Sequence, residues 1–387
     1  TKIELVGEFE KFEIIKQICK KNKIHLTSSK YKKINLKLKE FGVGIIQKSR
    51  YKKITKNKIR NRIKIFEKKS NTIPNFKNKI IFAISTYYRS SIYNFEKNQT
   101  LSGEYIQGKI ISIFQKFGSQ IIGLDLDYTF RGQPEILETR LDDDFPWMPL
   151  EIIVNSKLTS NQSTFLKQYL DILKSIQFQE CFKINKISFW NEIKFDFEKL
   201  TFSPHIPFYF QVINSLTKIF VNNKPKSIFI PYETGPVALS ILIACYRNNI
   251  KTFGIQHGLI YKNNSDYVHS NFRNPNNLNG FPLPDTLLLF GKYTLELLKS
   301  QNYPEKNLTV LGNIEFFNVD KIHNILSTEK IITKYSLPTN KKIILFATSR
   351  IQNFYKGVGG DHDERVLKSL LSSFGNKEEY LIILKPH

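Results

Sequence analysis

The chain has 387 residues, of which 41% are hydrophobic and 13% aromatic, and this composition excludes a disordered protein. Its formal net charge is +24, and no apolar run approaches the ~20 residues that a membrane-spanning helix needs. The three cysteines are too widely spaced for a zinc motif or a disulfide framework, which fits a reducing compartment. A chain of this length predicts two domains.

The first 80 residues carry most of the net positive charge. They contain 24 of the 58 Lys and Arg but only 6 of the 34 Asp and Glu, so the remainder carries +6. Residues 51–70 predict a basic amphipathic helix with Ile59, Ile63 and Phe66 on one face. Such a region suits a polyanion or an anionic membrane surface. A gene rich in A and T favours codons for Lys, Ile and Asn, and it would explain the same composition without any anionic binding partner.

From residue 79 the pattern changes to alternating strands and helices. The runs KIIFAIS, GEYIQGKIISIFQKF and SQIIGLDLDY predict a strand, a helix and a second strand. This β-α-β order is typical of a parallel sheet. Residues 160–176 then predict a helix, with Ser160 as the candidate N-cap.

Arginines and acids follow these two strands. Arg89 comes after the first, where a guanidinium could hold an acidic acceptor or a phosphate. Asp125 and Asp127 share one face of the second by strand alternation, which could suit a metal ion. We favour instead a structural network of aspartate with Arg131 or Arg140, and we predict that Asp127 and Arg131 contact an acceptor.

Residues 224–258 form the clearest β-α-β unit. One strand leads into the turn PYETGP, a helix of small and aliphatic residues follows, and the next strand ends at QHG. Ligands gather beyond the carboxyl ends of parallel strands, and a right-handed crossover would make these two strand ends neighbours. The sequence therefore predicts a site formed by PYETGP and QHG.

Two residues of this unit are candidates for catalysis. His257 could act as a general base near neutral pH or donate to a phosphate, whereas the alternative is a histidine that holds a loop. Glu233 could orient His257 or bind sugar hydroxyls, and the alternative is an acid that favours the helix dipole. Gln256, beside the histidine, is predicted to contact an acceptor.

The last third of the chain predicts the start of a second α/β domain. Residues 262–284 are rich in Asn, Pro and Gly and predict a long loop or linker. Two further strands and a helix follow, and KKIILFATSR then predicts the first strand of the second domain. In the loop after it, Ser349, Arg350 and the backbone of GVGG could cradle a diphosphate. Lys385 and His387 end the next strand and would face the same cleft, unless they are only a solvated pair.

Together these segments resemble a known enzyme family. The order QHG, PDTLLLFG, LTVLGN, a strand that opens a second Rossmann-like domain, and LIILKPH resembles the GT-B glycosyltransferases of bacterial and archaeal surface-polysaccharide synthesis. It is also similar to capsule polysaccharide transferases and CDP-glycerol glycerophosphotransferase-like enzymes. The resemblance covers residues 225–387 by motif and residues 79–224 by architecture only.

The resemblance implies two Rossmann-like domains that face each other across a cleft, in an α/β fold. A basic region (1–75) would precede an acceptor domain (76–283), and a linker with an incomplete donor domain (284–387) would follow. His257 would lie near the reacting carbon, and Lys385 and His387 would approach the donor phosphates. Such transferases generally work without a bound metal, so no metal or cofactor is expected.

The predicted activity is transfer of a sugar from a nucleotide-sugar donor to a glycan or lipid-linked acceptor. The enzyme would act in the cytoplasm, with residues 1–75 docking on the inner face of the plasma membrane. A nucleotide-sugar 2-epimerase on the same fold and a CDP-glycerol-type glycerophosphotransferase are alternatives. A basic nucleic-acid-binding protein is the alternative of another class; no nucleic-acid partner is expected, because the body lacks a known binding module.

Overall fold

The computed structural model describes the chain in segments. These are residues 2–5, 20, 25–28, 56–57, 59–70, 72, 74–85, 89–94, 99–126, 137–202, 205–269, 271–272, 280–313, 327–348 and 362–385. The chain divides into two compact units, Thr1–Phe316 and Phe317–His387.

The described elements alternate between strands and helices for most of the chain. The strands are β1 Lys2–Leu5, β2 His25–Ser28, β3 Ile80–Ile84, β4 Arg89–Asn94, β5 Gln99–Glu104, β6 Ile121–Asp125, β7 Trp147–Pro149, β8 Lys183–Ile184, β9 Ile187–Ser188, β10 Ser227–Pro231, β11 Lys251–Ile255, β12 Thr286–Leu289, β13 Leu308–Val310, β14 Lys342–Ala347 and β15 Tyr380–Lys385. The helices are α1 at residues 59–69, α2 Gly108–Lys116, α3 Ser160–Lys174, α4 Ile176–Glu180, α5 Trp190–Glu198, α6 Ile206–Asn222, α7 Pro236–Arg247, α8 Lys292–Ser300, α9 Thr328–Lys334 and α10 His362–Phe374.

A seven-stranded parallel sheet forms the centre of the first unit, in the order β13-β12-β11-β10-β3-β6-β7. Starting at β3, the chain first builds the sheet outward through β6 and β7. It then returns to the other side of β3 and builds outward from β10 to β13. This is the doubly wound order, and its topological switch point lies between β3 and β10. The predicted α/β fold with a parallel sheet is confirmed.

Aromatic side chains join the three central strands. Phe82, Phe229 and Phe253 pair across β3, β10 and β11. Their rings stack with centroid distances of 4.9 Å for the first pair and 4.7 Å for the second. All five residues of β3, β6 and β10 are buried, which explains why these strands read as continuous apolar runs in the sequence.

The predicted helix in the basic region is present, but its apolar face is not free. In α1, Ile65 and Phe66 belong to the main hydrophobic core, and the Phe66 ring packs edge-on against Trp147 at 5.9 Å. This segment is therefore an integral part of the first unit. Burial of the apolar face inside the protein leaves the polar face of α1 for any partner, and docking of residues 1–75 on a membrane stays a prediction.

The segment after β11 is packed rather than an open linker where it is described. Ile260, Tyr267 and Phe272 form a second hydrophobic cluster with side chains of β12 and α8. Strands β12 and β13 belong to the first sheet, so the first unit extends to Phe316. Both strands lie in the segment that was predicted as linker and donor domain (284–387), and that division of the chain stays a prediction.

Two smaller predictions have different outcomes. The N-cap of α3 is Thr159, which forms a capping box with Gln162, and Ser160 is the first helical residue. In the second unit, β14 and β15 pair in parallel over six residues and α10 precedes β15, so the predicted β-α-β order there is confirmed. Among the described helices, none combines the length and apolar content needed to cross a membrane.

Candidate functional site

The candidate site lies at the carboxyl ends of β10 and β11, which are neighbours as predicted. Strand β10 ends at Pro231 and leads through Tyr232 and Glu233 to the N-terminus of α7. Tyr232 has a φ of 53°, in the left-handed region that a bulky residue rarely adopts. Backbone strain of this kind often accompanies function, and here it turns the tyrosine ring toward the end of β11.

The turn after β11 is held by the side chain of Gln256. Its Nε2 donates to the Gly258 carbonyl at 2.9 Å, and its Oε1 accepts from the Phe290 N–H at 2.8 Å. The side chain is 1% exposed. Gln256 therefore ties the turn to the residue after β12, and its predicted contact with an acceptor stays a prediction.

His257 is half-buried beside this turn. Its imidazole packs against the Tyr232 ring, with centroids 4.7 Å apart and an interplanar angle of 60°. Burial lowers the pKa of His257, and the nearby Asp266 carboxylate opposes that shift. The imidazole is therefore neutral at physiological pH and can accept a proton.

Glu233 lies inside the protein at the neighbouring strand end and is 2% exposed. Its side chain lies over Gly254 of β11, where an added Cβ would be 3.3 Å from the Glu233 Cγ. Burial raises the pKa of Glu233 to about 7, the Tyr267 hydroxyl opposes this shift, and Asp266 adds to it. Glu233 is therefore a carboxyl group that exchanges its proton near neutral pH.

Two tyrosines complete the surroundings of this carboxyl group. Tyr267 is 1% exposed and Tyr303 is 4% exposed. Burial raises the pKa of both phenols well above the usual value, and Glu233 contributes to each shift. The Tyr267 hydroxyl faces the Glu233 carboxyl group as its hydrogen-bond partner. Glu233 thus lies among buried phenol oxygens.

Asp266 and Tyr267 were not predicted as site residues. They lie in the Asn-rich segment that the sequence indicated only as a loop, and their carboxylate and hydroxyl act on His257 and Glu233. The signal available in the sequence was the short polar run NNSDY after QHG. The Asn264 Oδ1 accepts from the Asp266 N–H at 3.0 Å, a turn geometry that this composition favours.

The acids and arginines near β6 form a buried ion cluster. Arg140 contacts Asp125 with a 2.8 Å Nε–Oδ2 separation, which confirms the predicted network with this arginine. Arg62 of α1 contacts the other Asp125 oxygen at 2.7 Å and Glu151 at 2.8 Å. Burial alone would lower the pKa of Arg62, but the two carboxylates raise it above the usual value. The Asp125 carboxylate is thus held between two guanidinium groups.

Arg89 belongs to the same cluster and is 7% exposed. Its Nη2 lies 2.7 Å from the Asp143 Oδ1, and its Nε donates to the Thr139 hydroxyl at 2.6 Å. Arg140 also contacts Glu104. Burial raises the pKa of Glu104, and Arg140 offsets only part of that shift. Arg89 therefore joins internal groups, and its predicted contact with an acceptor stays a prediction.

The other predicted site residues lie elsewhere. Lys385 is exposed at the end of β15 in the second unit, where its carbonyl accepts from the Thr348 N–H at 3.0 Å. Asp127, Arg131, Ser349, Arg350 and His387 fall outside the described residues. Across the part of the chain that the structure describes, no group of three or more His, Cys, Asp and Glu side chains is arranged to hold a metal ion.

Comparisons with known proteins give matches among solved structures only. No family model and no curated protein matches the sequence. The UDP-GlcNAc 2-epimerase from Neisseria meningitidis bound to UDP-GlcNAc matches with a TM-score of 0.41 and 14% identity, over 80% of this chain and 66% of that one. The enzyme from Methanocaldococcus jannaschii matches with a TM-score of 0.35 and 10% identity, over 80% of this chain and 73% of that one.

The UDP-N-acetylglucosamine 2-epimerase from Rickettsia bellii is also similar, with a TM-score of 0.35 and 13% identity, over 81% of this chain and 62% of that one. This chain thus spans about two thirds of the length of these structures. Since the TM-scores are low, the proposed function rests on the residues of this chain.

Proposed function

We propose that the protein is an enzyme that acts on a nucleotide-linked sugar, with His257 as the residue that transfers a proton. The observation that carries this proposal is the half-buried imidazole, its pKa lowered by burial, at the carboxyl end of β11. That end is one strand from the switch point of a doubly wound sheet, where nucleotides and similar ligands bind. A neutral imidazole beside such a crevice is suited to general acid–base catalysis.

Two neighbours support this role for His257. The Asp266 carboxylate favours the imidazolium that forms when the histidine accepts a proton. The side chain of Gln256 fixes the turn that carries the histidine. Catalytic histidines are commonly held in place by a neighbouring group, and a carboxylate commonly stabilises their charged form.

The described residues favour an isomerisation that needs no acceptor, of the kind a nucleotide-sugar 2-epimerase carries out. Arg89 and Gln256, which were predicted to bind an acceptor, are engaged inside the protein. An epimerisation needs an acid and a base, and two such groups lie at neighbouring strand ends: Glu233, whose pKa burial raises to about 7, and His257, whose pKa burial lowers.

Glycosyl transfer is the second candidate, with CDP-glycerol-type transfer as a variant of it. One observation favours it: Leu259 and Tyr261, directly after the QHG turn, are 78% and 57% exposed. These side chains offer an apolar surface next to His257, which would suit the hydrocarbon part of a lipid-linked acceptor. His257 would then remove the proton from the acceptor hydroxyl.

The two candidates are separated by incubating the protein with nucleotide sugars in D₂O, with and without an acceptor. An epimer that carries deuterium and forms without an acceptor identifies the isomerase. Release of the nucleotide that depends on an acceptor identifies the transferase. His257→Ala should abolish either activity, whereas His205→Ala, a matched loss of an imidazole at the start of α6, should retain it. Full activity of His257→Ala would refute the proposal.

A further inference from the structure

Four lysines lie together at the amino ends of β3 and β10, at the opposite end of these strands from the candidate site. Lys77 and Lys79 precede β3, and Lys224 and Lys226 precede β10. The Lys226 N–H donates to the Lys79 carbonyl at 2.8 Å, and the Asn78 N–H donates to the Lys224 carbonyl at 3.0 Å, so the two segments lie side by side. We call these four lysines the basic corner.

The basic corner has no acidic counterpart among the described residues. The ion pairs of the described part of the chain involve other lysines and arginines, and none includes a member of the corner. Three of the four lysines are exposed, and Lys79 is partly exposed. Their charge therefore acts on the solvent side of this edge and attracts anions.

A cavity of about 450 Å³ lies next to the basic corner. It is bordered by the segment before β3, the segment after β7 and the second half of α6, and it is half open to solvent. Its apolar side includes Phe76, Ile153 and Ile219. Cavities that bind small molecules typically start at about 300 Å³, so this one is large enough for a compact ligand.

The polar side of the cavity presents hydrogen-bond donors. Ser215 is 1% exposed, and its Oγ accepts the N–H groups of Asn155 at 3.2 Å and Ser156 at 3.0 Å, so its own proton is available to another acceptor. The Asn75 Oδ1 accepts from the Lys77 N–H at 2.9 Å, which leaves the amide NH₂. Lys218 adds an ammonium group, and the described lining contains no carboxylate.

We propose that this cavity is a second binding site, for a phosphate monoester whose organic group is apolar. The phosphate would take the donors of Ser215, Asn75 and Lys218, and the organic group would pack on the apolar side. A dianion fits better than a carboxylate because the basic corner adds several positive charges beside a lining without acids. The site is separate from His257 and does not depend on the proposed function.

Such a phosphate can come from a soluble ester or from a lipid headgroup, and two probes distinguish these sources. Phenyl phosphate, titrated into the full chain by calorimetry, represents the soluble ester. Vesicles of phosphatidylcholine with and without phosphatidic acid, tested by flotation, represent the headgroup. Binding of one probe but not of the other identifies the source, and binding of neither overturns the proposal.

The variant Lys218→Glu tests the location of binding. It should weaken the probe that binds by about tenfold or more, because it replaces an attractive charge at contact distance with a repulsive one. Lys167→Glu, an exposed lysine of α3, changes the net charge equally and should bind within about twofold of the original protein, as expected for a screened, distant charge. Equal weakening by both variants would mean that only net charge matters and would refute the site.

A second measurement keeps the test independent of any misfolding. Bound phenyl phosphate should slow hydrogen exchange of the peptide that contains Asn155 and Ser156, since their N–H groups bond to Ser215 at the cavity wall. Unchanged exchange in this peptide at saturation would contradict the proposal. His257→Ala should bind the probe as the original protein does, so failure of the proposed function would leave this result intact.

Discussion

Glu233 occupies space that exists because residue 254 on the neighbouring strand is a glycine. A Cβ at Gly254 would lie 3.3 Å from the Glu233 Cγ and only 2.9 Å from the Leu287 Cδ1. The position of the buried Glu233 side chain therefore depends on the absence of a side chain at Gly254 of β11.

The first prediction concerns this contact. Gly254→Ala should reduce the free energy of unfolding by about 1–3 kcal/mol, the usual cost of overpacking a close-packed core. Urea denaturation measures the change. Gly258→Ala is the matched control, since an added Cβ there would have no neighbour within 4 Å, and it should stay near the original stability. Equal stability of the two variants would contradict the packing around Glu233.

The second prediction concerns the dependence of stability on pH. The pKa of Glu233 rises from 4.5 to about 7 on folding because the group is buried. Folding therefore favours the protonated acid. The contribution of this group is fully present below pH 4.5 and is lost as the pH rises to about 7, by roughly 3 kcal/mol.

The variant Glu233→Gln cannot ionise and should lack this loss. Urea unfolding at pH 5 and pH 8 should therefore show a smaller difference in the free energy of unfolding for the variant than for the original protein. If both proteins lose the same stability between these pH values, another group is responsible. Glu138→Gln, an exposed acid paired with Lys68, serves as the control for removing one carboxylate.

The third prediction concerns the buried arginine of α1. Arg62→Met should cost about 3–5 kcal/mol, because it leaves the buried carboxylates of Asp125 and Glu151 without this partner. Lys68→Met on the same helix removes only an exposed ion pair and should cost less than about 1 kcal/mol. Chemical denaturation of the two variants compares them directly. Similar costs for both would mean that the Arg62 contacts contribute little.

The burial of Arg62 and Phe66 also determines how membrane binding by the basic region should be tested. Deletion of residues 1–75 would remove Arg62 and the core residue Phe66, so loss of binding could reflect unfolding. A deletion of residues 1–55 retains α1. Flotation with vesicles that contain anionic lipid should then show weaker binding for this shorter protein if the basic region docks on membranes. Equal binding would exclude residues 1–55 as the docking segment.

The fourth prediction concerns the two titrating groups of the candidate site. Asp266 raises the pKa of both His257 and Glu233, in the first case by favouring the imidazolium and in the second by repelling the carboxylate. Asp266→Asn should therefore lower both pKa values, as NMR titration of the imidazole and the carboxyl group would detect. Asp171→Asn, an exposed acid of α3, should shift neither. Unchanged pKa values in Asp266→Asn would remove this residue from the site.

Much of the sheet could be predicted from the sequence because local patterns determine it. Strand β11 at Lys251–Ile255 ends at QHG as predicted, and the adjacency of β10 and β11 follows from the handedness of a short crossover. Every residue needed for these inferences lies within one β-α-β unit. The positions of His257 and Glu233 at neighbouring strand ends could be predicted for the same reason.

Long-range contacts account for what the sequence did not indicate. Arg62 contacts Glu151 across 89 positions, and no local pattern links a lysine-rich helix to an acid after β7. Tyr267 lies in a segment whose composition predicts only a loop, and its burial depends on packing against β12 and α8. Gln256 reads as a strand-end residue open to a ligand, but its partners are the Gly258 carbonyl and the N–H of Phe290, which lies 34 positions away.

The stacked rings of Phe82 and Phe229 have a consequence for how the chain folds. These rings join β3 and β10 at the centre of the sheet, and the residues between them form most of one half of the unit. Closing so long a loop is entropically costly, whereas β10, α7 and β11 lie close together in sequence and can associate early. During synthesis the side of β3 that pairs with β10 stays unpaired until β10 has left the ribosome. Over that interval the nascent protein exposes an apolar strand edge, so we expect its yield in cells to depend on chaperones.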